Sequence, residues 1–128
     1  MTVRIVRLGT PRHAREGTRI GTVRRPPRGV PKSRFAADNW YDVWYPDLSP
    51  SQKLVERALK ADTSAEWNAF VRAFKAEMKE PGPSRSLDLL AALSHESDFS
   101  VGCYCEDEAR CHRSVLRELL EERKAKIG

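Results

Sequence analysis

The chain has 128 residues, 40% of them hydrophobic and 32% charged, and a net charge of +5. That balance suits one compact domain with its own core and excludes a disordered chain. No apolar run is long enough to cross a bilayer, and the start lacks the pattern of a secretory signal.

These features predict a cytoplasmic protein with no membrane partner, and reduced thiols for its three cysteines. Charge is unevenly spread. Residues 1–37 carry ten Lys/Arg against the single acid Glu16, a net of +9, and the remainder nets −4. A basic amino-terminal third favours anionic partners: phosphate, nucleotide or nucleic acid. It equally fits a solvated, Arg-rich surface. Few aromatics interleave with these bases, unlike a single-strand nucleic-acid binder.

In chain order, Val3 and Ile5 alternate with Arg4 up to the Gly9–Thr10–Pro11 break and predict a first strand. Residues 19–24 predict a second. The Pro-rich stretch that follows, through Asn39, predicts a long loop of the functional or mobile kind. Tyr41, Val43 and Tyr45 alternate as a short third strand. Ser49-Pro50-Ser51-Gln52 predicts a helix start, with Ser49 as N-cap and Pro50 in the first position. Leu54, Val55, Ala58 and Leu59 give its inward face. Thr63-Ser64-Ala65-Glu66 predicts a second start. Behind it, Trp67, Phe70, Val71, Phe74 and Met78 fall on one helical face and read as core rather than as a ligand wall. Pro81-Gly82-Pro83 predicts the stop, and a third helix follows with Leu87, Leu90 and Ala91 inward. Residues 99–105 predict a fourth strand. A last helix runs from about Asp107 to Lys126, with Val115, Leu116, Leu119 and Leu120 inward.

This order predicts an α/β fold: a single small domain over residues 1–128, with a mostly parallel sheet of about four strands flanked by helices. Ligands of such sheets sit outside the carboxyl ends of the strands. Here those ends present Arg24–Arg25 and Cys103–Cys105.

All three cysteines and one of the three histidines fall within residues 103–112. In an extended strand Cys103 and Cys105 share a side. Asp107 suits the N-cap of the last helix. His112 shares the stripe of Val115 and Leu116 and should turn toward the sheet. A helix amino terminus binds anions and lowers a thiol pKa. Arg24, Arg25, Arg110 and Arg113 add positive potential, while Glu106, Asp107 and Glu108 oppose a thiolate. The Cys-x5-Arg phosphatase loop does not fit: four residues separate Cys105 from Arg110, and six separate Cys103 from it. Zinc on Cys103, Cys105, Cys111 and His112 is an alternative. Against it stand the unusual spacing and the angle of about 100° between adjacent helical residues. A structural reading, of buried cysteines and a core histidine, also remains open. His13 and His95 read as surface residues.

The stretch CYCEDEARCHRSVL resembles the signature of the family called domain of unknown function 488. Members typically show a strand ending in Cys-x-Glu, a short acidic turn, and Cys-His-Arg opening a helix. RIGTVRRPPRGVPK and YDVWYPDLSPSQKL resemble its YeaO-like branch. On that resemblance Arg24, Pro27, Arg28 and Gly29 match the first motif, and Cys103, Cys111, His112 and Arg113 the second. Cys105 stands where the family often has Glu, and Thr22–Val23 replace an acidic residue often found before the Arg. The resemblance implies an α/β fold and no established activity.

The expected function is an enzyme-like or ligand-binding protein for a small anionic compound, phosphorylated ones included. Arg24, Arg25, Arg28, Cys105 and Arg113 are the expected ligand-binding residues. Cys103 or Cys111 is the nucleophile or redox centre, with His112 as proton shuttle or orienter. No cofactor is expected, with zinc as the alternative. The rival reading is a nucleic-acid-binding or partner-binding module built on the basic third.

Overall fold

Four strands form one all-parallel sheet in the computed structural model: β1 (Val3–Arg7), β2 (Thr18–Gly21), β3 (Val43–Trp44) and β4 (Phe99–Cys103). The structure describes residues 1–105, 107 and 111–128. The spatial order is β1-β4-β2-β3, so the last strand in sequence lies between the first two. All five residues of β4 are buried. A parallel strand covered on both faces needs such a run, with no side chain more polar than a serine. In register, Cys103 lies beside Arg7 of β1, and Gly102 lies between Val6 and Gly21. Gly102 is required there, because a Cβ would stand 2.5 Å from the Val6 carbonyl oxygen.

Helices α1 (Gln52–Lys60), α2 (Ser64–Met78), α3 (Pro81–Leu93) and α4 (His112–Glu122) complete the fold. Phe70, Phe74, Met78, Leu87, Leu116 and Leu120 form the main core with Val3, Phe99 and Val101 from the sheet. Trp67 and Val71 are half-buried beside it, so the stripe expected of the second helix is core at its centre and partly exposed at its margin.

Several element boundaries differ from the sequence reading. α1 is capped by Ser51, whose Oγ accepts from Leu54 N at 3.4 Å, and not by Ser49. The Ser49 and Pro50 carbonyls are already taken by the Arg24 guanidinium, at 3.1 and 3.0 Å. Pro81-Gly82-Pro83 begins α3 instead of separating it from α2. Proline suits a first helical turn, where its missing N–H has no partner to lose. β4 ends at Cys103, and α4 begins at His112 with Cys111, not Asp107, as its N-cap. The expectations placed on Glu106, Glu108 and Arg110 lie outside the described residues.

The opposite face of the sheet is covered by loops. Its anchor is Arg19, with no exposed surface. Arg19 Nε and Nη2 donate to Glu16 at 2.5 and 2.8 Å, and Nη1 donates to the Thr10 and Asn39 carbonyls. Ser100 Oγ of β4 donates to the same carboxylate at 2.8 Å. Burial alone would raise the Glu16 pKa. The hydrogen bonds from Arg19, Ser100 and the His13 region, with the charge of Arg19, outweigh it and hold the carboxyl below its usual value. A depressed carboxylate pKa stabilises the fold above the unfolded-state value and loses that stabilisation as pH falls through the folded value.

Glu16→Gln leaves the Arg19 cation buried without its counter-charge and should cost about 3–5 kcal/mol at neutral pH. Chemical denaturation from pH 7 down to pH 3 checks this. The wild type should lose more stability than the variant below about pH 4.5. Parallel losses would show that the carboxylate does not carry the effect.

Candidate functional site

An open cleft of about 990 Å³ lies outside the carboxyl ends of the strands. Leu8, Gly9 and Thr10 enter it from the end of β1, and Val23 to Arg28 from the end of β2. Cys103, Tyr104 and Cys105 enter from β4, and Cys111 and His112 from the start of α4. Val55, Trp67 and Phe70 close it from the helical side. This is where a parallel α/β sheet places a ligand, because strand ends and helix starts meet there.

The floor is set by Thr22, just past β2. Its N–H and its Oγ1 both donate to the Gly102 carbonyl at 3.0 Å, which fixes the peptide against β4. The Thr22 carbonyl then lies 2.7 Å from His112 Nε2. A carbonyl only accepts, so Nε2 carries the proton and Nδ1 keeps its lone pair. Nδ1 lies 3.7 Å from Cys111 Sγ. Phe74 packs edge-on against the imidazole at a centroid distance of 5.7 Å and fixes its plane. Burial pushes the His112 pKa down to about 4, with Arg113 adding to the effect and the Thr22 carbonyl opposing it. The ring is therefore neutral at pH 7, with its Nδ1 lone pair toward Cys111 Sγ.

Cys103 and Cys111 are both buried and belong to a small apolar cluster with Leu8, Val23 and Tyr41. The structure pairs their sulfurs, where the sequence reading expects reduced thiols. Their Cα atoms are 7.9 Å apart. That span is wider than the roughly 4.4–6.8 Å over which a disulfide usually closes. Cys105 does not join them. It lies beyond the end of β4, where the strand alternation no longer applies, and it is exposed. Burial around its sulfur still pushes its pKa up, and the charges of Arg113 and Arg7 restore only part of the shift.

The arginines divide by role. Arg25 and Arg28 are exposed at the cleft, and Arg25 Nε reaches Gln52 at 3.3 Å. Arg24 lines the cleft while its fork holds the loop before α1. Arg113 is buried outside the cleft lining, and its Nη2 donates to the Cys105 carbonyl at 2.5 Å. It shapes the turn after β4. Tyr104 donates to the Arg25 carbonyl at 2.8 Å, closing the β2 loop over β4. Gly29, with φ +71°, supplies the left-handed turn that follows Arg28. Arg7, Trp40, Tyr104, Trp67 and Phe70 also line the cleft and were not expected to. Arg7 ends β1, so the rule applied to the second and fourth strands would have found it. His13 and His95 are exposed, as expected.

A family model described as the active DUF488-N3 subclade, DUF488-N3a, matches residues 3–124. The chain belongs to the DUF488-N3a family. No curated protein and no solved structure matches it. Placement in the YeaO-like branch rests on the motifs alone. In this DUF488-N3a chain the carboxyl-terminal motif divides physically: Cys111 and His112 face the cleft, and Arg113 turns inward.

Under reducing, native conditions an alkylating reagent should modify one thiol per chain, at Cys105, more slowly than free cysteine at the same pH. Peptide mass mapping locates the label, and Cys105→Ser should abolish it. Rapid labelling of Cys103 or Cys111 would contradict the burial described above.

Proposed function

We propose that this DUF488-N3a protein binds a small anionic compound, phosphorylated ones included, and acts on it at the Cys/His floor of the cleft. One observation carries the reading. Among the described residues the cleft wall holds four arginines, Arg7, Arg24, Arg25 and Arg28, and no carboxylate. Charge-assisted hydrogen bonds to such groups are stronger than neutral ones, and arginine forks match phosphate and carboxylate oxygens. Trp40, Trp67, Phe70 and Tyr104 supply apolar surface for the rest of the molecule. The description of the subclade as active accords with a reactive floor. Cys103 and Cys111 supply the thiols, and His112 orients Cys111 through Nδ1. A reducing compartment such as the cytoplasm suits a working dithiol.

The nucleic-acid reading has less support. Arg12, Arg19 and Arg34 of the basic third are paired with Asp42, Glu16 and Asp38. Pairing lowers the charge that this region offers to a phosphate backbone.

Thermal-shift measurements with inorganic phosphate and with small phosphorylated compounds, each against its dephosphorylated parent, test the proposal. Phosphorylated members should raise Tm and their neutral parents should not. Arg25→Ala combined with Arg28→Ala should weaken binding by at least about tenfold, the equivalent of about 1.4 kcal/mol. Equal shifts from the neutral parents, or no effect of the double substitution, would count against it.

A further inference from the structure

The floor of the cleft carries a set of donor atoms that anion binding alone leaves without a use. We propose that Cys103 Sγ, Cys111 Sγ and His112 Nδ1 bind a zinc-class divalent cation, with the fourth coordination position open to the cleft. The proposal rests on the cleft being a ligand site, and it identifies what lies at its base.

One ligand atom from each of Cys103, Cys111 and His112 lies within 4.8 Å of the other two, and Nδ1 is the ring nitrogen 3.7 Å from Cys111 Sγ. Thiolate sulfur and imidazole nitrogen are the donors zinc prefers, and three protein ligands with one open position is the pattern of catalytic zinc. The Thr22 carbonyl supplies the outer contact. It takes the Nε2 proton of His112 at 2.7 Å and leaves Nδ1 to face the sulfurs. A metal-bound histidine usually donates its second ring N–H to such an oxygen, which fixes both tautomer and ring orientation.

Three further features favour a cation here. Adjacent helical residues diverge by about 100°. Cys111, however, is not helical: as the N-cap it has φ −135° and ψ 154°. That extended backbone turns its sulfur toward the His112 ring. The 7.9 Å between the Cα atoms of Cys103 and Cys111 is wide for a disulfide. Once the pair is reduced, the two sulfurs can separate within that span and each bond an ion between them at about 2.3 Å. Two thiolates also neutralise a dication, so the buried cluster carries no net charge, whereas two buried thiolates alone are costly.

The proposed site differs from a closed Cys3His structural site. Cys105 is exposed and does not belong to the converging group. The fourth position therefore faces the cleft, where Arg25 and Arg28 stand. A zinc-class ion with an open position takes a water or a ligand oxygen and polarises it. The arginines would hold the remaining charge of the same anion.

Full-length protein, purified without a histidine tag and kept reduced and anaerobic, is titrated with cobalt(II) and followed by absorption. The proposal expects one equivalent bound, with charge-transfer intensity for two thiolates per cobalt and displacement by zinc. Cys103→Ser, Cys111→Ser and His112→Ala should each bind at least tenfold more weakly, and Cys105→Ser should bind like wild type. Added imidazole, which has no need of the arginines, should shift the cobalt bands without removing the ion. Absence of a thiolate band in the folded wild type overturns the proposal. So does a closed site, in which Cys105→Ser loses the band and imidazole changes nothing. Arginine-dependent phosphate binding without cobalt binding overturns the metal site alone. Cobalt binding without phosphate binding overturns the anion reading alone.

Discussion

The hydrogen bond between the Thr22 carbonyl and His112 Nε2 ties the end of β2 to the start of α4. Thr22 extends β2, its N–H is tied to Gly102 of β4, and His112 opens α4. Together with the packing of Leu116 and Leu120 in the core, this contact sets the rotation of the helix start relative to the sheet. With it, the ring edge that faces Cys111 is decided by elementary valence: a carbonyl accepts, so the opposite nitrogen is bare. The chemistry of the floor follows from one acceptor in the right place.

That acceptor is held in turn by the central position of β4. The strand forms last in sequence, yet it is paired on both sides and buried throughout. Its helical face packs against the aromatic and aliphatic core, and its other face meets the buried Glu16–Arg19 pair through Ser100. The basic amino-terminal third therefore has two physical uses. Some of its arginines build the fold from inside, with every guanidinium nitrogen of Arg19 donating to an oxygen. Others, Arg25 and Arg28, stand exposed at the cleft. Net charge alone does not separate these uses. Separation comes from where nearby acids and carbonyls lie in the folded chain.

Periodicity made the fold class readable from sequence. Val3 and Ile5, the helical stripe from Trp67 to Met78, and the apolar run at Phe99 each have one sensible partner, a common core. The position of the Cys-His element at a strand-to-helix junction was readable for the same reason. Its inner geometry was not, because it depends on where β4 stops. Strand alternation carried through Cys105 puts that residue beside Cys103. The strand ends two residues earlier, so Cys105 leaves the group. The divergence of neighbouring helical residues separates Cys111 from His112 on paper. Cys111 is instead extended, and the two meet. Arg24 likewise moved the start of α1 by occupying carbonyls that a helix at Ser49 would need. Each difference arises from a tertiary contact that decides a local boundary, and such contacts leave little trace in a single sequence.

The chemistry of the floor depends on the state of one ring. Nitrogen NMR of the His112 imidazole, in reduced protein at neutral pH, reads it directly. The account predicts a proton on Nε2 and an unprotonated Nδ1, with the Nε2 signal moving when Thr22→Pro or Gly102→Ala disturbs the carbonyl that receives it. A proton on Nδ1 with a bare Nε2 would contradict the account, because the ring edge facing the thiols would then be a donor.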